Sequence, residues 1–321
     1  MTLALQLVAY NGSMFLERLF DSLERQTDRD WSLLVVDQSQ DADERAKTAE
    51  ILDHYRDRLP MRILTTTENR GFAGGHQWIF EQNNAEAVLL LNQDAALDPE
   101  YIARVRQALE QRPDVAAVSG AIFQLQTCAH LGIHDTVVVD SLGLVKRDDE
   151  SVVDDRQGQW IRVQDLPIES MDVFGISGCL ALYRRAAVVT SCSNGQLFDP
   201  AYFMYKEDVD LAYRLKRAGW NALVIPAARA WHARTFKARR MRPRGLARME
   251  YFSYRNHWWN LLTHLSVRDI LCRGWRIAAF EVAKLGYMLL RHPSFPWRAL
   301  KETRAHWPTI KAKRKWYDAR S

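Results

Sequence analysis

Cysteine is scarce and scattered in this chain. Cys128, Cys179, Cys192 and Cys272 form no C-x-x-C pair, which argues against zinc-ribbon and thioredoxin-like chemistry and for reduced thiols in the cytosol. Long apolar runs are missing too. The longest candidate, Ile277 to Leu290, is interrupted by Glu281 and Lys284 and does not reach membrane-spanning length. The first residues, Met1-Thr2-Leu3-Ala4, carry no basic segment and lead straight into a strand pattern, so they do not read as a signal peptide. Neither a P-loop nor a G-x-G-x-x-G fingerprint is present. The one glycine-rich stretch, Asn69 to His76, follows the third predicted strand rather than the first, which argues against P-loop enzymes and nucleotide dehydrogenases. Acidic residues are sparse at the C-terminal end: from Arg291 to Ser321 there are nine Lys/Arg against two acids, and this surplus of seven exceeds the net charge of +5. The body is therefore slightly acidic and the tail makes the chain basic.

What is present describes a globular α/β protein. With 321 residues, 47% hydrophobic and 26% charged, the chain can hold one large domain plus an appendage, or two domains. Leu3–Ala9 reads as a strand, Met14–Leu23 as a helix with Ser13 at its N-cap, and Trp31–Val36 as a second, buried strand. This βαβ order predicts parallel neighbouring strands. Ligands of open α/β sheets bind beyond the carboxyl ends of strands, so Tyr10, Asn11 and Asp37 are expected on one rim. A helix follows over 42–58 and a strand over 61–64. Asn69 to Gly75 then reads as a glycine-rich turn that lets backbone approach a phosphate, with a helix N-terminus behind it. Ala87–Leu91 is the most apolar strand, expected to be central, and it runs into Asn92-Gln93-Asp94. A carboxylate there suits a hard divalent cation carrying a diphosphate. Pro99 is expected near the first turn of a helix over 101–112, with a strand over 115–119.

Residues 124–170 hold short β-prone pieces at 137–139, 152–153 and 160–163, with no chemistry assigned to them. Val173–Tyr183 reads as a strand, with Gly175 and Gly178 marking close approach by a ligand or backbone. The densest signal follows. Glu207, Asp208 and Asp210 sit behind the aromatic run Tyr202-Phe203-Met204-Tyr205 and open a helix that Gly219 ends. The macrodipole favours ionised carboxylates at that end, and Asp208 is the candidate general base. A strand over 222–225 is expected to stop at Pro226. His232 lies beyond it, and seven basic residues without an acid fill 234–248. From Met249 on, amphipathic helices carry six of the 11 tryptophans. Tryptophan with arginine and lysine suits a membrane-surface contact. No recognised nucleic-acid motif accompanies this region, so no nucleic-acid partner is expected. The expected division is 1–240 and 241–321.

Seven motifs in this order resemble an inverting family 2 glycosyltransferase of the rhamnosyltransferase-like branch that builds bacterial surface polysaccharides. They are Ala9-Tyr10-Asn11, Val35-Val36-Asp37, Asn69-Arg-Gly-Phe-Ala-Gly-Gly75, Leu91-Asn-Gln-Asp-Ala95, Ser177-Gly178-Cys179, Phe198 through Leu211, and Trp231-His232. The resemblance covers roughly residues 3–260. It implies a GT-A fold: a Rossmann-like, mixed but mostly parallel sheet flanked by helices, here with a C-terminal helical extension. It implies a nucleotide-sugar site of Ala9, Tyr10, Asn11, Asp37, Asn69, Gly71, Phe72, Gly74, Asn92 and Gln93, with Asp37 on the base. Asp94 and His232 would hold Mg²⁺ or Mn²⁺. Asp208 would be the base and Glu207 would help position sugar or acceptor. Two departures are visible: Asn92 replaces the first acid of D-x-D, and His76-Gln77 stands where the branch often has asparagines.

The implied activity is hexosyl transfer from dTDP-L-rhamnose, or another nucleotide sugar such as a UDP-hexose or UDP-furanose, to a saccharide or lipid-linked acceptor. The implied location is the cytoplasmic face of the membrane, as a peripheral protein, with homo-oligomerisation left open. A catalytically silent nucleotide-sugar or polysaccharide-binding subunit is the alternative from another class, supported by the lost first acid of D-x-D.

Overall fold

The computed structural model describes residues 1–125, 136–233 and 243–320. Its strands are β1 (Leu3–Ala9), β2 (Ser32–Asp37), β3 (Met61–Thr65), β4 (Ala87–Asn92), β5 (Ala95–Leu97), β6 (Val115–Gln124), β7 (Thr136–Ser141), β8 (Leu144–Lys146), β9 (Val152–Asp154), β10 (Trp160–Arg162), β11 (Met171–Val173), β12 (Leu182–Arg184) and β13 (Asn221–His232). Its helices are α1 (Ser13–Glu24), α2 (Ala42–Tyr55), α3 (Gly71–Glu81), α4 (Tyr101–Gln111), α5 (Arg185–Thr190), α6 (Glu207–Arg217), α7 (Pro243–His264), α8 (Val267–Arg291) and α9 (Ser294–Asp318).

The main sheet runs β10-β7-β6-β12-β4-β1-β2-β3, with β13 alongside β6, and β5 and β11 on β13. β1, β2, β3 and β4 are mutually parallel, and β12 enters antiparallel between β4 and β6. The apolar run of β4 is central, as its composition predicts. Both faces of the sheet are covered, and side chains divide between them with the period of two that a strand imposes. Leu5, Leu7, Leu33, Val35, Leu89 and Leu91 join the core under α1, α2 and α4. Ala4, Leu34, Val36, Val88 and Leu90 join the opposite core under α3, α5 and α6. That second core also takes in Trp259 of α7 and Ile310 of α9, so the C-terminal helices share apolar packing with the sheet.

Several local expectations change. β13 does not stop at Pro226; it continues to His232, with a register shift between Ile225 and Arg229 against β6. A bulge removes the ladder hydrogen bond that proline cannot make, so the strand survives it. The predicted strand over 173–183 is two short strands, β11 and β12, with irregular backbone between them. A Cβ on Gly175 would lie 2.3 Å from Ala212 Cβ, so this glycine serves contact with α6. Gly12, not Ser13, is the N-cap of α1, because the Ser13 hydroxyl is spent on Glu44 at 3.0 Å. Pro99 lies ahead of the α4 N-cap, Glu100. The basic stretch 234–248 and Cys128 lie largely outside the described residues.

Candidate active site

The carboxyl ends of β1, β2 and β4 gather the first group of predicted residues. Ala9 is buried at the end of β1, and its carbonyl accepts from Gln38 N at 2.9 Å. Tyr10 stands 38% exposed on the rim. Its backbone is gripped from both sides by Gln93, whose Oε1 accepts from Tyr10 N at 2.9 Å and whose Nε2 donates to Tyr10 O at 3.0 Å. Gln93 therefore shapes the rim with its amide. Asn11 is exposed with φ +42°, a left-handed conformation that asparagine tolerates. Its N–H donates to Ser39 Oγ at 2.9 Å. Asp37 is half-buried beside Ala9 in register and accepts from Ser39 N at 2.9 Å.

The glycine-rich stretch differs from its expected form. It is not a turn ahead of a helix but the first turns of α3 itself. Gly71 has φ +69°, and a Cβ there would meet Phe203 O at 2.3 Å. Gly74 and Gly75 are buried, facing Arg70 and Pro200 in one case and Gln38 and Val8 in the other. These two glycines let α3 approach the sheet and the 200–203 segment. Asn69 caps the helix start by accepting from Gly71 N at 2.9 Å. Gln38, which the sequence reading passed over, ties the rim to α3: its amide oxygen accepts from Arg70 N and its amide nitrogen donates to Gly71 O. His76 is fully buried beside Phe72, ring centroids 4.4 Å apart, and burial pushes its imidazole down to about 3. Gln77 Oε1 accepts from Leu197 N at 2.8 Å and Phe198 N at 3.2 Å. His76 and Gln77, which stand where the branch often has asparagines, thus serve the interior.

A second group forms where β4, β13 and β7 end. Asp94 and His232 are both buried, and His232 Nε2 lies 3.3 Å from Asp94 Oδ1. Asn92 Nδ2 is 3.2 Å from the same ring nitrogen. On the other side of the ring, Nδ1 lies 2.8 Å from Asp140 Oδ2, and Asp140 is fully buried. Burial works against the imidazolium, but the Cys179 thiol and the carboxylates of Asp94 and Asp140 outweigh it and hold the ring well above its usual range. Cys179 is itself buried against His232, and burial pushes its thiol up. Two oxygen or nitrogen donors bound cis on one divalent ion at about 2.1 Å stand roughly 3 Å apart. The Asp94–His232 spacing fits that, and a hard carboxylate with an imidazole suits Mg²⁺ or Mn²⁺. Among the described residues no group of three His, Cys, Asp or Glu side chains is arranged to enclose an ion.

Asp208 lies at the start of α6, half-buried. Oδ2 accepts from Gly178 N at 3.0 Å and Oδ1 from Val209 N at 2.8 Å. Burial raises its pKa, against the opposing pull of Lys206 and the two N–H groups. Glu207, buried, is raised well above the carboxylate range by burial and then by the Asp208 charge. Asp210 points elsewhere: it pairs with Arg214 and His264 at 2.9 Å each and is held low despite its burial. The three acids thus divide into a pair of raised pKa and one held in ion pairs. The turn Ser177-Gly178-Cys179 joins the two halves of the site, because Gly178 holds Asp208 while Cys179 lies against His232.

The backbone that delivers Glu207 and Asp208 is held in an unfavourable shape. Phe203, Tyr205 and Lys206 all have φ between +64° and +67°, at a cost on the order of 1 kcal/mol or more each for such residues. Met204 N closes a tight turn on Tyr202 O at 2.7 Å. Helix α7 supplies the compensation. Asn256 Nδ2 reaches the carbonyls of Tyr202, Met204 and Tyr205 at 2.7–2.9 Å. Asn260 Nδ2 donates to Lys206 O at 3.0 Å and its Oδ1 accepts from Tyr202 Oη at 2.5 Å. Arg255 donates to Ala201 O and Tyr202 O. None of these three residues was legible as functional, since they sit inside an aromatic helical pattern.

Comparisons with known proteins point to one family and one fold. The family described as "Glycosyl transferase family 2" matches residues 6–189, more than half the chain. The N-acetylglucosaminyl-diphospho-decaprenol L-rhamnosyltransferase of Mycobacterium tuberculosis is 27% identical over 321 residues, covering 84% of this chain and 94% of the relative. Among solved structures, the mannosyltransferase PcManGT from Pyrobaculum calidifontis, in complex with GDP-Man and Mn²⁺, superposes with a TM-score of 0.54 at 16% identity, over 98% of this chain and 83% of that one. GalNAc-T7 with UDP, GalNAc and Mn²⁺ gives 0.59 at 11% identity over 82% of this chain, which spans only 48% of that protein. S. aureus TarS 1–349 with UDP gives 0.53 at 14% identity, over 97% and 79%. These likenesses establish the GT-A fold.

Proposed function

The chain belongs to glycosyl transferase family 2, and from that premise we propose that it is an inverting enzyme moving a sugar, L-rhamnose before others, from a nucleoside-diphosphate donor to a hydroxyl of a saccharide or lipid-linked acceptor. The observation that carries this reading is the 177–179 turn, which sets a carboxylate of raised pKa next to an Asp–His pair. Such a carboxylate is a stronger base than a free aspartate. Asp208 takes the proton of the acceptor hydroxyl as that oxygen bonds to the anomeric carbon. The bond from that carbon to the diphosphate breaks on the opposite face, and the diphosphate leaves with the electron pair. Asp94 and His232 are the residues that would hold a divalent cation, Mn²⁺ or Mg²⁺, whose charge favours the leaving diphosphate. The rim of Tyr10, Asn11 and Asp37 takes the nucleoside, with Phe72 at the sugar end beside Gly178, whose Cβ position lies 3.3 Å from the Phe72 ring.

L-Rhamnose stands first because the M. tuberculosis relative is named for its transfer; the diphosphate-linked lipid in that name likewise favours a lipid-linked acceptor. Among the described residues no helix is long and apolar enough to cross a membrane. Helix α8 instead presents Leu271 (80% exposed), Trp275, Val282 and Leu290 to solvent, with Arg268 and Arg276 nearby in the chain. This supports contact with an anionic membrane surface on the cytoplasmic side.

The test is release of nucleoside diphosphate from dTDP-, UDP- and GDP-sugars with Mn²⁺ or Mg²⁺, for the wild type and Asp208→Asn. The expected result is metal-dependent release from dTDP-rhamnose, lowered by orders of magnitude in the variant while donor binding persists. Release from a UDP-sugar alone would replace the donor. Unchanged turnover in Asp208→Asn would remove Asp208 from the base role.

A further inference from the structure

We propose that Asp140 is a positioning residue for the metal site: it fixes the His232 ring so that Nε2, on the Asp94 side, is the nitrogen that would give up its proton and take the cation. The inference rests on the metal role of Asp94 and His232 given above and extends it to a strand that has no assigned chemistry. Asp140 lies in β7, and its placement is a departure from regular pairing. Ile122 pairs with Ser141, but Phe123 pairs with Val139, so Asp140 is the extra residue of a β-bulge. Bulges bend a strand and re-aim one side chain, and they recur beside active sites. Here the re-aimed carboxylate is fully buried and reaches His232 Nδ1 at 2.8 Å. His232 is on β13, and β7 and β13 flank opposite edges of β6.

The chemistry follows from what each atom can do. An ionised carboxylate only accepts, so the proton shared with Asp140 belongs to Nδ1. Nε2 is then the nitrogen left to bind a cation, and it is the one 3.3 Å from Asp94. A carboxylate behind the ring also raises the basicity of the opposite nitrogen and locks its plane. Burying a carboxylate fully is costly, and an apolar residue would pack β7 at less expense. The bulge and the burial together indicate a purpose beyond joining two strands.

The experiment uses Mn²⁺ itself as the probe, titrated into the full chain and followed by the EPR signal of free Mn²⁺, with and without UDP. Asp140→Asn keeps the shape and removes the charge. It is expected to weaken Mn²⁺ binding about 10–100-fold, the usual effect of losing such a partner, and to add nothing further in a His232→Gln background. Wild-type Mn²⁺ affinity in folded Asp140→Asn would overturn the inference. Asp94→Asn serves as the control. If it too binds Mn²⁺ like the wild type, the metal reading itself fails. Should Asp140→Asn not fold, the wild-type protein still decides: imidazole ¹⁵N shifts, assigned by comparison with His232→Gln, are recorded with Mg²⁺. A proton on Nδ1 supports the inference, and a proton on Nε2 overturns it.

Discussion

Helices α7 and α8 are neighbours in sequence, both rich in aromatic and basic residues, yet they are built inside out relative to each other. α7 buries polar groups: Arg255, Asn256, His257, Asn260, Thr263 and His264 are each no more than 5% exposed. α8 exposes apolar ones, with Leu271, Trp275, Val282 and Leu290 each above 70%. A buried polar group is retained only where it has partners: Arg255, Asn256 and Asn260 reach carbonyls of the 201–206 segment, while His257 pairs with Glu281 and His264 with Asp210. An exposed apolar stripe is stable only if something outside the chain covers it or if its cost is tolerated. The first helix braces the segment ahead of Glu207 and Asp208, and the second turns apolar side chains to solvent. A region that looks uniform in composition thus holds two different surfaces.

The largest effect that would break this contrast is at Asn256. Asn256→Leu keeps the branched shape and removes the amide donor shared by the carbonyls of Tyr202, Met204 and Tyr205, of which Tyr202 O keeps Arg255 and the Met204 N–H. Buried unpartnered groups cost about 1–3 kcal/mol each, so the 203–206 backbone should relax toward ordinary φ values. Turnover is expected to fall about 100-fold, with donor affinity retained. Equal loss of donor binding would mean that α7 supports the whole fold rather than the base. The α8 half of the contrast is tested by Leu271→Glu with Trp275→Glu. Taking each side chain partly out of water is worth about 1 kcal/mol, so binding to anionic vesicles should drop roughly 30-fold with the melting temperature unchanged. A drop in melting temperature with vesicle binding intact would make this face an internal surface.

How much of this could be read from the residues depended on range. The βαβ start, the central position of Ala87–Leu91 and the helix opened by Glu207 follow local periodicity, and the structure has them all. Asp94 and His232 were placed by motif order and are brought within 3.3 Å. What sequence could not supply was contact between distant segments. Asp140 is 92 residues from His232, and its bulge leaves no mark in a run of valines. Asn256 is 52 residues from Met204, and inside an aromatic helix an asparagine reads as solvent-facing. The glycines of Asn69–Gly75 show a different limit. Glycine permits close approach, but composition does not say whether the approaching partner is a phosphate or, as here, Pro200 and Gln38.

The smallest effect concerns what the α7 clamp keeps dry. Glu207 is only 5% exposed, and burial with the Asp208 charge raises its pKa well above the carboxylate range. In the unfolded chain its pKa is about 4.3. Between those two values the folded protein holds a proton that the unfolded chain has released. Stability from this group is therefore complete below about pH 4 and is lost as pH rises through the folded pKa. Glu207→Gln cannot titrate. Its melting temperature should match the wild type in acid and pull ahead as pH increases, levelling once Glu207 ionises in the folded state. Parallel curves would show that Glu207 titrates as it does when unfolded. The comparison of helices sharpens this: placing Glu207→Gln in the Asn256→Leu background should shrink the gap, because a relaxed 203–206 segment admits water to the carboxyl. The α8 double variant should leave the gap as it is, since that helix presents its replaced residues to solvent rather than to Glu207.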